Sequence, residues 1–320
     1  MSYAQLIGAA AGAALKAHRS YKVDRRKRVD VFDVLRRADT EVFFRPLNKI
    51  CGAYVPSEGD YPGVLINSAL PLSRQRYTAA HEFGHLFLKH SSISIDTAVG
   101  VSPEERNNWG VEEKIAEIFG AFFLMPQGLV ETSLRELGVT VLTPESVYLL
   151  SLKMGTSYLA TVNHLQTLNK LDFSEANAFR RIEPKTIKHA MSSQLASRHD
   201  VWVLDEQWND QRIFPAVEDR IVFRLHETPT SGYTWDWLKA PKSLQMLQDG
   251  FAGEEHPEEI GGTRVRELVM EVTPLALSET VDLERRQPWD PESEASAHFS
   301  VHLFPQEIRK SGPLVPPRLR

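Results

Sequence analysis

The sequence predicts an α+β fold: a mainly helical first part carrying a small sheet, followed by an all-β sandwich. Three observations predict it. Apolar residues recur at helical spacing in several segments up to Leu168, and a short apolar run at Gly63–Asn67, bounded by Pro62 and the Asn67-Ser68 turn signal, interrupts them as a strand. Residues 169–199 are polar with little periodicity. From Val201 onward the chain becomes short alternating runs separated by Pro, Gly and Asp.

The elements follow in order. Residues 6–15 are apolar and Ala-rich, but nothing basic precedes them, so they read as a first helix rather than a signal peptide. Residues 22–28 form a basic run interrupted by Asp24, read as the solvated approach to a helix at residues 31–35. After the strand, Ser73 is the expected N-cap of a helix whose stripe is Tyr77, Ala80, Phe83, Gly84, Phe87 and Leu88. A second stripe, Ala116, Phe119, Gly120 and Phe123, marks a helix that runs into Met125-Pro126. Thr143-Pro144-Glu145 opens a third, with Pro at the first helical position. The turn Gly155-Thr156-Ser157 then leads to Leu159, Val162, Leu165 and Leu168, giving a helix-turn-helix-like extension. Residues 169–199 read as a connector with one weak helix at 187–195. Strands are expected at Val201–Leu204 and at residues 220–225, 265–272, 281–284 and 298–303, forming an immunoglobulin-like sandwich.

The chemistry lies in His81-Glu82-Phe83-Gly84-His85. Positions i and i+4 share one helix face, so both imidazoles reach one ion, and Glu82 lies beside it. A catalytic zinc site uses three protein ligands plus water. The metzincin solution needs a His six residues past His85 preceded by a Gly; Ser91 and Leu88 stand there, which excludes it. His90 is near, but the same helix does not easily bring it to the ion. The remaining solution is a carboxylate on the second helix. Glu113 extends its inward stripe by one turn, with Glu112 and Glu117 as alternatives. In such a site Glu82 takes the proton of the activated water as it attacks a peptide carbonyl. Tyr158 and His164 have chemistry suited to the oxyanion, but the sequence does not place them in a cleft, so the role stays unassigned.

Residues 77–86, followed by Glu113-x-x-Ala116-x-x-Phe119 and ending Phe123-Leu124-Met125-Pro126, resemble the ImmA/IrrE family of metallopeptidases over roughly residues 10–170. The resemblance implies a gluzincin-like domain in which His81, His85 and Glu113 bind Zn2+ and Glu82 is the general base. It implies as substrate a helix-turn-helix transcriptional repressor, cut in a stress or mobile-element response. Glu117 departs from the family pattern, which has Asn there.

Three loops of the second part are equally specific. Thr228-Pro229-Thr230-Ser231-Gly232-Tyr233, Gly261-Gly262 and Arg286-Gln287-Pro288-Trp289 resemble the loops of chagasin-type inhibitors of papain-like cysteine peptidases. In that family the loop tips form a wedge that enters the target. The resemblance makes Thr228, Pro229, Thr230, Ser231, Gly232, Tyr233 and Trp289 candidates for binding a protein or peptide partner. Thr228, Ser231 and the inserted Gln287 depart from the pattern at the tips.

Composition sets the limits. A chain of 320 residues suggests two domains and can bury a core without disulfides. The boundaries expected are 1–130 for the peptidase, 131–170 for the extension, 171–199 for the connector, 200–310 for the sandwich and 311–320 for a tail. One cysteine, Cys51, points to a reducing compartment, and no run approaches a membrane span, so a cytoplasmic protein is expected. The net charge of -5 and the lack of Arg on the second helix of the extension argue against direct DNA binding. Three readings result: a site-specific zinc endopeptidase whose sandwich recognises or senses something; an inhibitor acting through its chagasin-like part on a cysteine peptidase, its own peptidase site inactive; and a transcription regulator using residues 143–168, which the charge disfavours.

Overall fold

The computed structural model describes residues 2–56, 62–90, 94–96, 109–192, 199–228, 231–252, 263–274, 276–290, 294–306 and 312–313. The chain divides into two compact units, residues 1–133 with 153–180 and 308–320, and residues 134–152 with 181–307.

In the first unit, α1 (Tyr3–Ser20) opens with a capping box. Gln5 N–H donates to Ser2 Oγ at 3.3 Å, and Ser2 N–H donates to Gln5 Oε1 at 2.7 Å. Asp30 caps α2 (Val31–Arg37) by accepting from the N–H groups of Phe32 and Asp33. Strands β1 (Glu41–Arg45), β2 (Gly52–Val55) and β3 (Gly63–Asn67) precede α3 (Leu72–Leu88), which carries the motif. Its N-cap is Pro71, not Ser73, and no side chain caps it; Pro cannot continue a helix backwards, so the helix starts directly behind it. Strand β4 (Ser94–Asp96) and helix α4 (Val111–Leu124) follow. Strand β3 pairs in parallel with β1 and antiparallel with β2, which pairs antiparallel with β4.

Next come α5 (Gln127–Glu136), α6 (Pro144–Met154) and α7 (Tyr158–Thr167), the last two joined by the expected turn, in which Gly155 has φ of 71° and Ser157 caps α7. The residues expected to form a connector contain two short helices, α8 (Phe173–Arg180) and α9 (Pro184–Met191). α8 buries only Ala176, so it has no apolar stripe from which sequence periodicity could read it.

The second unit contains two four-stranded sheets. One orders β5 (Val201–Leu204), β7 (Arg220–Glu227), β10 (Arg264–Val272) and β9 (Leu244–Ala252). The other orders β6 (Gln211–Ile213), β12 (Ala297–Leu303), β11 (Glu279–Arg286) and β8 (Thr234–Trp237). Phe223 of the first sheet meets Trp237 and Phe299 of the second edge-on, so their inner faces share a core. Strand β13 (Gly312–Pro313) pairs with β1 of the first unit, so these two residues of the expected tail are sheet residues. Among the described residues no helix is long and apolar enough to cross a membrane.

Candidate metal centre

Two glycines decide how closely the ligand helices approach. A Cβ on Gly84 of α3 would lie 3.0 Å from Phe119 Cδ1 and 3.3 Å from Ala116 Cα, and one on Gly120 of α4 would lie 3.3 Å from His81 N. With hydrogens in those places, α3 and α4 pack almost backbone to backbone. The buried rings of Phe83, Phe119 and Phe123 cluster around the crossing, Phe119 stacked on Phe123 and Phe83 tilted against both, and each stabilises it by about 1.5–3 kcal/mol. The sheet closes on α3 in the same way: a Cβ on Gly52 of β2 would collide with Thr78 Cγ2 and lie 3.5 Å from Glu82 Oε1.

The close approach brings Glu113 to both histidines. His81 Nε2 lies 3.0 Å from Glu113 Oε1, His85 Nε2 lies 3.3 Å from Glu113 Oε2, and the two Nε2 atoms are 3.2 Å apart. A tetrahedral zinc with bonds of about 2.0–2.1 Å has ligand–ligand edges of about 3.3 Å, so the donor set has both the spacing and the chemistry to hold that ion. It is a group of His, His and Glu atoms within 4.8 Å of one another. Both histidines and Glu82 are buried. Burial alone would raise the Glu113 carboxyl's pKa, but hydrogen bonds from His81 and His85, with their charge, hold it well below the usual carboxylate range. Of the carboxylates weighed on α4, Glu113 faces the pair of Nε2 atoms, while Glu117 faces the outer side of His81, its Oε2 3.4 Å from Nδ1.

His90 lies behind His85. Lys89 adopts the left-handed conformation, φ 57°, and turns the chain back at the end of α3. His90 Nδ1 then lies 2.8 Å from His85 Nδ1, and Tyr54 stacks on the His85 ring. The outer nitrogen of each imidazole thus has a partner within reach, the arrangement by which such partners fix tautomer and ring orientation. Sequence reasoning missed this role for His90 because a left-handed residue at Lys89 leaves no trace in the apolar spacing.

The other polar candidates are structural. His164 is buried, and its Nε2–H donates to Met125 O at 2.8 Å; burial pushes its pKa down to about 4, so it is neutral at pH 7. His18 likewise bonds Phe123 O at 2.9 Å. Together they satisfy carbonyls at the C-terminal end of α4. Tyr158 donates to Phe179 O, and Asn163 and Gln166 accept from Arg180, so the polar groups of α7 are engaged within the first unit.

In the second unit, Ser231 Oγ donates to Thr228 O at 2.6 Å, and Thr228 pairs with Tyr233. Pro229, Thr230, Gly261 and Gly262 lie outside the described residues. Gly232 has φ of 74°, and a Cβ there would collide with the Trp289 ring, which lies across it. Trp289 is 69 % exposed, so it is no core residue of the sandwich, and its ring lies against Gly232. Buried Glu227 accepts from Trp235 N–H at 2.6 Å and from Arg266 at 3.1 Å.

Residues 35–149 match the family model of the IrrE N-terminal-like domain of peptidase family M78, and residues 216–303 match that of the chagasin family peptidase inhibitor I42. Among solved structures, a cysteine protease inhibitor from Entamoeba histolytica is 21 % identical, with 35 % of this chain and 100 % of that chain covered and a TM-score of 0.30. Amebosin is 22 % identical over 33 % of this chain and 98 % of its own, with a TM-score of 0.29. No curated protein matches the chain. The chain therefore joins an IrrE N-terminal-like, metallopeptidase-like segment to a chagasin-like, inhibitor-like segment.

Proposed function

We propose that the chain is a zinc-dependent endopeptidase in which His81, His85 and Glu113 hold the metal and Glu82 is the general base. The observation that carries this reading is the spacing of the donors: the two Nε2 atoms lie 3.2 Å apart, and each has one oxygen of the Glu113 carboxylate, at 3.0 Å and 3.3 Å, reached by two helices packed through Gly84 and Gly120. Zinc, when bound, supplies Lewis acidity and lowers the pKa of its water to about 7. Glu82 takes the proton as the water attacks a peptide carbonyl and returns it to the leaving amine. Packed beside Gly52 and Thr78, its carboxylate is pre-positioned rather than solvated. Resemblance to the ImmA/IrrE family supports a helix-turn-helix transcriptional repressor as substrate, in a stress or mobile-element response. The sandwich serves as recognition or sensing module through Thr228, Pro229, Thr230, Ser231, Gly232, Tyr233 and Trp289.

The test is Glu82→Gln. Its cleavage of a peptide substrate falls by about 10²- to 10⁴-fold in kcat/KM while zinc stoichiometry stays that of the wild type. Comparing protein termini in cells expressing either form identifies the substrate, and a variant that cleaves like wild type refutes the mechanism.

The exposed Trp289 across Gly232 favours a second reading, in which the sandwich blocks a cysteine peptidase and the zinc site is inactive. Inhibition of papain by the full chain, with no cleavage of any cellular protein, would replace the first reading by this one.

A further inference from the structure

Beside the proposed metal centre lies a cavity of about 290 Å³, the scale of one or two side chains rather than of a cofactor. Its lining includes Tyr77 and Glu117, one helical turn along α3 and α4 from His81 and Glu113. A turn rises about 5.4 Å, which an extended peptide covers in about two residues. Ile118, Ala121 and Phe122 give the cavity an apolar wall, and Arg74 and Arg180 stand in its lining with the one acidic residue Glu117.

Arg180 is the unusual member. Its Nε donates to Asn163 Oδ1 at 2.8 Å, its Nη1 to Asn177 Oδ1 at 2.7 Å and its Nη2 to Gln166 Oε1. All three partners are neutral. Elsewhere the half-buried guanidinium groups of Arg220, Arg224, Arg266 and Arg286 each lie against a carboxylate. A guanidinium has five N–H donors, so one on each terminal nitrogen of Arg180 has no partner among the described residues. The amides hold the cation in place without neutralising it, and a carboxylate accepts such a pair of donors.

We propose that this cavity is a subsite for a carboxylate-bearing side chain of the peptide substrate, with Arg180 as its cation and Glu the residue it selects, about two positions from the scissile bond. It rests on the endopeptidase reading above and adds a substrate class to it. The apolar wall takes the methylene stem and the guanidinium takes the tip.

The test uses two pools of acetylated, amidated short peptides that differ only in carrying Glu or Gln at one fixed position, moved along the pool. Binding is read by calorimetry on the chelator-treated full chain, and cleavage by mass spectrometry on the zinc-loaded chain. The expected result is a preference of about ten-fold for Glu at one position in both readouts, lost in Arg180→Gln. Equal binding of the two pools, or a Glu preference that survives Arg180→Gln, overturns the proposal. Free glutarate binding as tightly as the Glu peptides also overturns it, since the cavity is then a site for small anions. Should Arg180→Gln fail to fold, Arg180→Lys, which keeps the charge but not the paired donors, carries the same comparison, and an undiminished Glu preference there overturns the proposal. A chain that binds the Glu pool selectively but cuts neither pool refutes the peptidase reading and leaves the subsite standing, so the two failures are told apart.

Discussion

Glu117 shows what a single side chain would add to the proposed metal centre without ligating. Its carboxylate faces His81 Nδ1 at 3.4 Å, in contact with the nitrogen that must carry a proton once Nε2 donates its lone pair to zinc. Glu117→Ala is therefore expected to weaken zinc affinity by about 10- to 100-fold with the fold unchanged, measured by competition with a chelating dye. His164 gives a prediction of another kind. Its pKa is near 4 when folded and about 6.5 when unfolded, so between those values the unfolded chain binds more protons. Its contribution, about 3 kcal/mol, is complete above pH 6.5 and is lost as pH falls toward 4. Urea unfolding of the chelator-treated protein across that range should show the slope, and His164→Gln should flatten it.

At the scale of elements, the helix pair rather than the motif alone builds the site. Gly120→Leu forces side-chain volume into a gap where even a Cβ sits 3.3 Å from His81 N. It should cost about 1–3 kcal/mol in overpacking and lose zinc, whereas Gly120→Ala needs only a few tenths of an ångström of adjustment and keeps it; metal analysis after dialysis distinguishes the two. The stripes that position this pair were legible in the sequence because Phe83, Gly84, Ala116, Phe119, Gly120 and Phe123 keep helical spacing on both helices. The strands at Val201–Leu204 and Arg220–Glu227 were legible as short apolar runs, buried at successive residues. Other features were not, and three of them show why. The approach of His90 depends on one left-handed residue, α8 lacks an apolar stripe, and β9 carries the mixed sequence Leu244–Ala252 with mostly exposed side chains, so neither period shows.

At the scale of the molecule, the two compact units predict unequal responses to metal. All three proposed ligands belong to the first unit, and a ligand that binds only the folded form stabilises it by about 2.7 kcal/mol at a hundred times its Kd. Calorimetry should show a zinc-dependent transition for that unit and a zinc-independent one for the sandwich. A single transition that shifts as a whole would mean the units unfold together.

Pairing of Phe43 with Pro313 and of Phe44 with Gly312 means that stopping the chain short of residue 312 does more than shorten it. The outer edge of β1 would then present free backbone N–H and C=O groups beside Phe43, a side chain already 38 % exposed. An open edge of that kind recruits another strand, and a truncated chain with α3 and α4 untouched would be prone to self-association.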